Sequence, residues 1–180
     1  MTGAARAGHL NIGAAPLFST PMIRWPDRYK PEATAVHART ELEFPVPPEA
    51  VWAWLVRADL WPTWYPDFQK VAIEGGGPYL RPGVRFRWRA FGVGLHSRVE
   101  EFVEPERIAW SASALGVDAY HAWLIERRPS GCLVITEENQ NGWVARLNSS
   151  LRPKFMAGMQ RTLLERLLER AKGPPPEAPR

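Results

Sequence analysis

Residues 84–103 have the sequence VRFRWRAFGVGLHSRVEEFV, in which two alternating runs lie on either side of one turn. Apolar residues alternate with arginines from Val84 to Ala90, which is the period of a strand with one buried face. Gly92-Val93 has the composition of a two-residue hairpin turn. Such a turn would place Val99 opposite Phe86, so the stretch predicts an antiparallel hairpin in that register.

Toward the C-terminus, three more runs of apolar residues follow, and a turn signal precedes each one. The turn signals are Glu104-Pro105-Glu106, Gly116 with Asp118, and Pro129-Ser130-Gly131. The strands that they predict are 108–114, 120–128 and 132–141. Connections this short favour an antiparallel meander over parallel crossovers, which need a dozen or more residues.

Toward the N-terminus, the pattern predicts two strands with two short helices between them. Apolar and polar residues alternate from Val36 to Phe44, which predicts the first strand. Pro48-Glu49 suits the first turn of a helix, and a second short helix is predicted over 60–64 with Asp59 as its cap. The second strand, 68–74, leads into the glycine-rich break that separates it from the hairpin.

The last predicted element is one helix from about Leu151 to Lys172. Its apolar residues recur every four positions, at Leu151, Phe155, Met159, Leu163 and Leu167. Asn148, Ser149 and Ser150 are candidate N-caps, and Pro153 would lie in the first turn. About 22 residues at 1.5 Å each give a helix of roughly 33 Å. An apolar stripe of this length needs a sheet face to cover it, so we predict an α+β fold in which a seven-stranded antiparallel sheet curls around this helix.

Both ends of the chain differ in composition from this unit. Residues 1–34 contain prolines and glycines at short, irregular intervals, which predicts an irregular extension; its apolar patch is Phe18, Met22, Ile23 and Trp25. The folded domain is predicted to span 35–173, and three prolines after Gly173 predict a loose tail over 174–180. The sequence leaves open whether the extension covers the sheet.

Composition excludes several classes of function. The chain has 180 residues and a net charge of +4, which suits one domain and predicts no DNA partner. The single cysteine, Cys132, excludes an intrachain disulfide; with no secretory signal and no apolar run of about 18 residues, we expect a cytoplasmic protein. No His, Cys or acid cluster has metal-ligand spacing, so neither a metal nor a cofactor is predicted.

Four groups of residues resemble the START-like or Bet v 1-like superfamily (SRPBCC), and within it the bacterial polyketide cyclase/dehydrase and lipid-transport group. They are Pro47–Trp52; Trp61 with Trp64–Pro66; Val99, Glu101 and Pro105 with Ile108–Trp110; and Gly131 with Val134, Thr136, Glu137 and Glu138. The resemblance covers about 140 residues. It implies the helix-grip form of the predicted fold, in which the sheet and the last helix enclose a deep apolar cavity. Carriers, cyclases, toxins and allergens share this scaffold, so the fold alone does not specify the activity.

The predicted inner faces supply candidate ligand contacts for such a cavity. These residues are Phe86, Trp88, Trp110, His121, Trp123, Thr136, Glu138, Phe155, Met159 and Leu163. Flat and flexible side chains of this kind suit an adaptable cavity, and they equally suit a filled core. The resemblance implies that Trp61, Trp64 and Tyr65 form a lid over one entrance, as a mobile gate or as a simple cap.

His121 and Glu138 are the candidate polar residues of the interior. His121 shares a strand face with Trp123, so it is either a proton donor to a bound carbonyl or a buried histidine tied to a neighbour. Glu138 is taken as the inward acid by the resemblance, and Glu137 is then expected to meet solvent. Glu138 suits acid/base work and anchoring of the sheet equally well. Glu101 is expected at a rim of the cavity.

Three functions remain open. The first is a carrier for a hydrophobic small molecule such as a lipid, a quinone or a polyketide-like compound, and the second is a polyketide cyclase or dehydratase that uses His121 or Glu138. The third is an interaction module that binds RNA or an anionic membrane through Arg85, Arg87 and Arg89. Because Glu100, Glu104 and Glu106 are close enough to neutralise that stripe, we favour a solvated face. The sequence leaves monomer and homodimer open.

Overall fold

The computed structural model describes residues 22–177 as seven strands and four helices. The strands are β1 (Val36–Phe44), β2 (Phe68–Ile73), β3 (Arg85–Ala90), β4 (Val93–Val103), β5 (Arg107–Ala114), β6 (Val117–Arg128) and β7 (Gly131–Asn141). The helices are α1 (Pro48–Leu55), α2 (Trp61–Trp64), α3 (Trp143–Leu151) and α4 (Phe155–Ala171). Short 3-10 turns cover Asp27–Tyr29, Pro31–Ala33 and Ala58–Leu60.

All seven strands form one antiparallel sheet in the order β1-β7-β6-β5-β4-β3-β2. The predicted α+β helix-grip fold is therefore confirmed, as are the two short helices after β1. The predicted register of the β3–β4 hairpin is wrong. Ala90 pairs with Val93, so the turn is Phe91-Gly92 and Phe86 lies opposite Ser97 rather than Val99. Moving a turn by one residue changes every cross-strand partner by two positions.

A bulge in β4 corrects a second expectation. The pairing with β5 shifts between Val99 and Glu101, so one extra residue enters β4 at that point. Such an insertion reverses the face on which the following residues lie. Glu101 therefore lies on the outer face, where its carboxylate accepts a hydrogen bond from Arg107 Nε at 2.9 Å. It is not at the cavity rim.

The predicted C-terminal helix is two helices in the structure. The break falls at Arg152, whose φ of −137° and ψ of 66° are not helical. Pro153 accounts for the break, since a proline disfavours the helical conformation at the residue before it. Asn148, Ser149 and Ser150 consequently lie inside α3 and are not N-caps, and Leu151 is 73% exposed instead of starting the buried stripe.

Helix α4 fills the concave side of the sheet. Its buried side chains are Met156, Gln160, Leu163, Leu164, Leu167 and Ala171. Gln160 is completely buried and joins the helix to β1, because its Oε1 accepts a hydrogen bond from Thr40 Oγ1 at 2.9 Å and its Nε2 donates to Ala38 O at 3.2 Å. These bonds satisfy both ends of a polar side chain that would otherwise be costly to bury.

Residues from Ile23 to Tyr29 pack on the outer face of the sheet. The Tyr29 ring lies 5.2 Å from the Tyr120 ring, and its hydroxyl donates to Asp118 at 2.5 Å. Asn139 Nδ2 donates to the Tyr29 carbonyl at 2.6 Å. This part of the N-terminal extension thus covers the sheet, whereas Phe18 and the rest of 1–21 lie outside the described residues.

Glu137 lies on this covered outer face and is less exposed to solvent than expected. That side chain was expected to meet solvent, but the residue is only 8% exposed. It lies between His37 and Arg39, with 3.6 Å to the nearest nitrogen of each.

At the other end of the chain, Arg57 donates to the Glu177 carbonyl, and 178–180 lie outside the described residues. Within 22–177, every helix is too short or too polar to cross a membrane.

Candidate ligand cavity

Aromatic side chains fill one half of the groove between the sheet and α4. Trp61 is 1% exposed and lies at the centre of this cluster. Its ring is 5.5–6.0 Å from those of Phe68, Phe86, Trp88 and Trp110. The Trp61 indole nitrogen donates to the Leu55 carbonyl at 3.0 Å, so the polar end of the ring is satisfied where it is buried. This half is close-packed.

The other half of the groove contains a cavity of about 320 Å³. Its walls are the β3–β4 hairpin, the inner faces of β5, β6 and β7, helix α3 and the first turn of α4. Four alanines lie in these walls, namely Ala90, Ala112, Ala119 and Ala145. Because alanine leaves most of the side-chain volume empty, the cavity lies where the inward positions carry small residues.

Two glycines hold α3 against the sheet and so shape the mouth of the cavity. Gly142 precedes α3 with a φ of +105°, and a Cβ there would be 2.2 Å from the Gly116 carbonyl oxygen. Gly116 lies in the β5–β6 turn, where a Cβ would be 2.5 Å from Val144. The Val144 amide donates to the Gly116 carbonyl at 3.1 Å. Only residues without a Cβ allow this close approach.

A cluster of polar side chains lies at the wall of the cavity, on β6 and β7. The His121 Nε2 is 2.7 Å from Thr136 Oγ1, and its Nδ1 is 3.7 Å from Glu138 Oε2. Glu138 Oε1 accepts a hydrogen bond from Gln140 Nε2 at 2.6 Å. His121 and Glu138 are directly opposite each other in the register, so pairing of the two strands brings them together.

Burial shifts the pKa values of His121 and Glu138 in opposite directions. It lowers the pKa of His121 to about 3, because an imidazolium would lose its hydration there. Burial also raises the pKa of Glu138, and the hydrogen bond from Gln140 opposes that rise. His121 is therefore neutral at physiological pH, with one ring nitrogen able to donate a hydrogen bond and the other able to accept one.

Apart from Asn148 and Arg152 at the mouth, the rest of the lining is apolar and aromatic. Trp110 packs with its ring 4.9 Å from the His121 ring, and Trp88 lies on the same wall. Within residues 22–177, the Trp110 Nε1 is buried with no hydrogen-bond partner. The arrangement suits a flat hydrophobic molecule with a carbonyl or hydroxyl that meets His121.

The structure divides the ten predicted ligand contacts into two groups. Those that line the cavity are Trp88, Trp110, His121, Glu138, Phe155 and Met159. Those that are buried elsewhere are Phe86, Trp123, Thr136 and Leu163. Of this second group, Thr136 acts on the cavity indirectly by its bond to His121, and Phe86 packs on Trp61. A direct contact between any of the ten and a ligand stays a prediction.

The predicted lid residues belong to the packed interior. Trp61, Trp64 and Tyr65 are 1%, 4% and 4% exposed. Tyr65 lies with its ring 4.6 Å from that of Phe68, a residue of the cavity wall. The three side chains thus close the groove beside the cavity, and their opening as a gate stays a prediction.

Sequence reasoning missed the residues that form the mouth. Helix α3 contributes Val144, Ala145 and Asn148 to the lining, and Arg152 lies at the break before α4. Phe91 crosses from the hairpin turn to α4, with its ring 5.2 Å from that of Phe155. The available signal was Pro153, since the residue before a proline usually leaves the helical conformation.

Residues 35–172 match the model of the family described as polyketide cyclase/dehydrase and lipid transport. The hypothetical protein jhp0584 from Helicobacter pylori is similar in structure, with a TM-score of 0.78 and 25% identity over 85% of this chain and 98% of that one. A comparison with curated proteins found no match.

Two further structures share the fold at lower identity. The di-domain ARO/CYC StfQ from the steffimycin biosynthetic pathway has a TM-score of 0.62 and 14% identity, over 76% of this chain and 51% of that one. Ara h 8.0201 has a TM-score of 0.60 and 15% identity, over 76% and 97% of the two chains. At this identity the likeness concerns the architecture.

Proposed function

Since the chain belongs to the polyketide cyclase/dehydrase and lipid transport family, we propose that it binds a flat hydrophobic molecule in the cavity under α3. The observation that carries this proposal is the lining itself. Aromatic rings, alanines and methionines line a space of about 320 Å³; the polar residues His121 and Glu138 lie in its wall, and Asn148 and Arg152 lie at its mouth. A ligand with a single carbonyl or hydroxyl matches that distribution.

Burial of apolar surface supplies most of the affinity. Each CH₂ group removed from water contributes about 0.8 kcal/mol. Met156 and Met159 adapt to ligands of different outline, because the unbranched methionine side chain changes rotamer easily. The cavity is therefore expected to accept a class of molecules rather than one compound.

The neutral state of His121 favours binding over proton transfer by this residue. A general acid would have to carry a proton at neutral pH, and burial holds the pKa of His121 at about 3. The imidazole instead offers a directed hydrogen bond, with Thr136 at 2.7 Å holding the ring in place. Its role in this proposal is to orient the ligand.

The test is a fluorescence titration with N-phenyl-1-naphthylamine, a neutral hydrophobic probe, alongside native mass spectrometry of the freshly purified protein. Ala119→Leu adds volume to the cavity wall and is expected to weaken probe binding at least tenfold. Ala157→Leu adds the same volume on the exposed side of α4 and is expected to leave binding unchanged. Equal binding by both variants would contradict the proposal.

One observation favours an enzymatic alternative. Glu138 is the one carboxylate in the cavity wall, and burial raises its pKa toward the range in which an acid/base catalyst works. As a carboxylate it would take a proton from the carbon next to a carbonyl. In a dehydratase the protonated Glu138 would then give that proton to the hydroxyl on the neighbouring carbon, which leaves as water; in a cyclase it would give the proton to the alkoxide formed when the new carbon–carbon bond closes. Loss of water from an extracted ligand on incubation with the native chain, but not with Glu138→Gln, would establish this activity. Unchanged ligand with both chains would leave the carrier function.

A further inference from the structure

Helix α3 carries an exposed apolar stripe on a face that adjoins its cavity-lining face. Trp143, Leu147 and Leu151 are spaced by four residues and are 65%, 53% and 73% exposed. The adjoining face, about 100° around the helix, lines the cavity through Val144, Ala145 and Asn148. The helix is thus apolar on both faces, and only one of those faces is covered by residues 22–177.

Neighbouring turns extend the stripe around the mouth of the cavity. Leu115 is 89% exposed and precedes Gly116, at which a Cβ would be 2.7 Å from the Trp143 indole nitrogen. Phe91 and Val93 line the cavity from the hairpin and are 40% and 48% exposed. We call these six residues, Phe91, Val93, Leu115, Trp143, Leu147 and Leu151, the mouth surface. Exposed apolar groups collected at one place mark an interaction site.

The charge on α3 and on the segment that follows it has one sign. Arg146, Arg152 and Lys154 are all exposed on or next to α3. The sequence contains no Asp or Glu from 142 to 164. The arginines of the outer sheet face differ in this respect, since Arg85 has Glu74 at 3.9 Å and Arg98 has Glu100 at 4.0 Å.

We propose that the mouth surface docks on an anionic lipid bilayer, with α3 lying in the interface and the cavity opening toward the lipid. Exposed tryptophan and leucine beside arginine and lysine is the pattern of an interfacial amphipathic helix. A second copy of the chain fits this surface poorly, because face-to-face pairing of two α3 helices would bring Arg146, Arg152 and Lys154 together with their equivalents. Negative lipid headgroups complement these charges.

The experiment is co-sedimentation of the full chain with vesicles of phosphatidylcholine alone and of phosphatidylcholine with phosphatidylglycerol. Binding is expected only to the anionic vesicles and is expected to weaken as salt rises. Trp143→Ala/Leu147→Ser/Leu151→Ser is expected to reduce it at least tenfold, and Leu147→Ser/Leu151→Ser serves if the triple variant fails to fold. Arg146→Gln/Lys154→Gln is expected to reduce it severalfold.

The matched control is Arg85→Gln/Arg87→Gln, which removes two positive charges from the outer sheet face. Equal losses in this control and in Arg146→Gln/Lys154→Gln would overturn the proposal, as would failure of the native chain to bind anionic vesicles. A dimer that the triple variant dissociates would overturn it in favour of a second copy. The variants are expected to bind N-phenyl-1-naphthylamine normally in solution, so docking and the proposed ligand binding are tested separately.

Discussion

The two halves of the groove between the sheet and α4 are lined by similar residue types and differ in how fully they are filled. In the half beside α1, Trp61 lies among four other aromatic rings, and the space is closed. In the half beside α3, about 320 Å³ remains open although Trp88 and Trp110 form part of its wall. Aromatic content therefore does not distinguish a core from a cavity.

The difference comes from what faces the aromatic rings. Helix α2 places Trp61 directly over the sheet, whereas α3 presents Val144 and Ala145 to it. The opposing strands carry Ala112 and Ala119 at the positions under α3. Small residues on α3 and on the strands beneath it leave a space. The segment that joins α3 to α4, at Arg152 and Pro153, does not fill it. The cavity thus lies where small residues on the sheet face small residues on the helix that covers them.

Removal of the ring at the centre of the filled half is expected to have the largest effect. Trp61→Ala should lower the free energy of unfolding by about 3–5 kcal/mol, because it deletes a buried ring and leaves a void. Chemical denaturation measures the loss. Trp143→Ala is the control, since Trp143 is 65% exposed, and it should change stability by roughly 0.5 kcal/mol or less. A loss for Trp61→Ala as small as that for Trp143→Ala would contradict the close packing assigned to Trp61.

The free energy of unfolding is expected to fall in acid because of His121, a residue of the open half. The unfolded chain binds a proton at this residue below about pH 6.5, and the folded chain only near a pKa of about 3. Stability should thus fall as the pH falls through this window, by up to about 1.4 kcal/mol per pH unit.

Denaturation at several pH values compares the native chain with two histidine variants. His121→Gln should lose this component of the slope, whereas His96→Gln, at an exposed position of β4, should keep it. The raised pKa of Glu138 acts in the opposite direction, because the folded state then holds the proton more tightly and stability falls as the pH rises above 4.5. Identical slopes for all three proteins would contradict the assignment.

A smaller loss is expected where α3 joins the sheet. Gly142→Ala should destabilise the protein by about 1–3 kcal/mol, since the φ of +105° is strained for alanine and the new Cβ would overlap the Gly116 carbonyl. It should also weaken N-phenyl-1-naphthylamine binding by moving α3. Gly158→Ala, in α4 with open space around the glycine, should stabilise the helix by roughly 0.5–1 kcal/mol. A stable, fully binding Gly142→Ala protein would show that the junction does not shape the cavity.

The smallest change in stability is expected at the mouth. Phe91→Ala removes the ring contact with Phe155 and should cost about 1 kcal/mol, the size of one aromatic pair. Stopped-flow measurement of N-phenyl-1-naphthylamine release should nevertheless be severalfold faster. Tyr79→Ala, at a half-exposed ring outside the cavity lining, should leave the release rate unchanged. An unaltered rate for Phe91→Ala would mean that the ligand leaves by another route.

Local pattern was enough to predict most of the fold. Alternation placed β1 at Val36–Phe44, and turn residues separated β4, β5, β6 and β7 near their observed bounds. The inward side of β6 followed from period two, so His121 was correctly placed in the interior. Registers were less predictable, because local preference favours Gly92-Val93 as the turn. The structure uses Phe91-Gly92, with Phe91 at a φ of +50°, and only the packing of the two strands selects this turn.

Of the candidate site, the sequence identified the polar pair and missed the mouth. Strand period and resemblance together indicated His121 and Glu138, which the β6–β7 register brings opposite each other. Helix α3 was missed because its exposed apolar stripe continues the four-residue spacing of α4 across the break at Arg152. The spacing of apolar residues reports amphipathicity without telling which partner covers each face.

The sequence by itself thus determined the strands and most of the helices, with α3 as the exception, since alternation, turns and prolines act over a few residues. Only the tertiary structure decided that Trp61 fills one half of the groove, that Ala112 and Ala119 leave the other half open, and that Glu101 moves to the outer face at a bulge. These outcomes depend on how distant segments meet. Volume in a protein interior is shared among side chains far apart in the chain, so no local pattern encodes it.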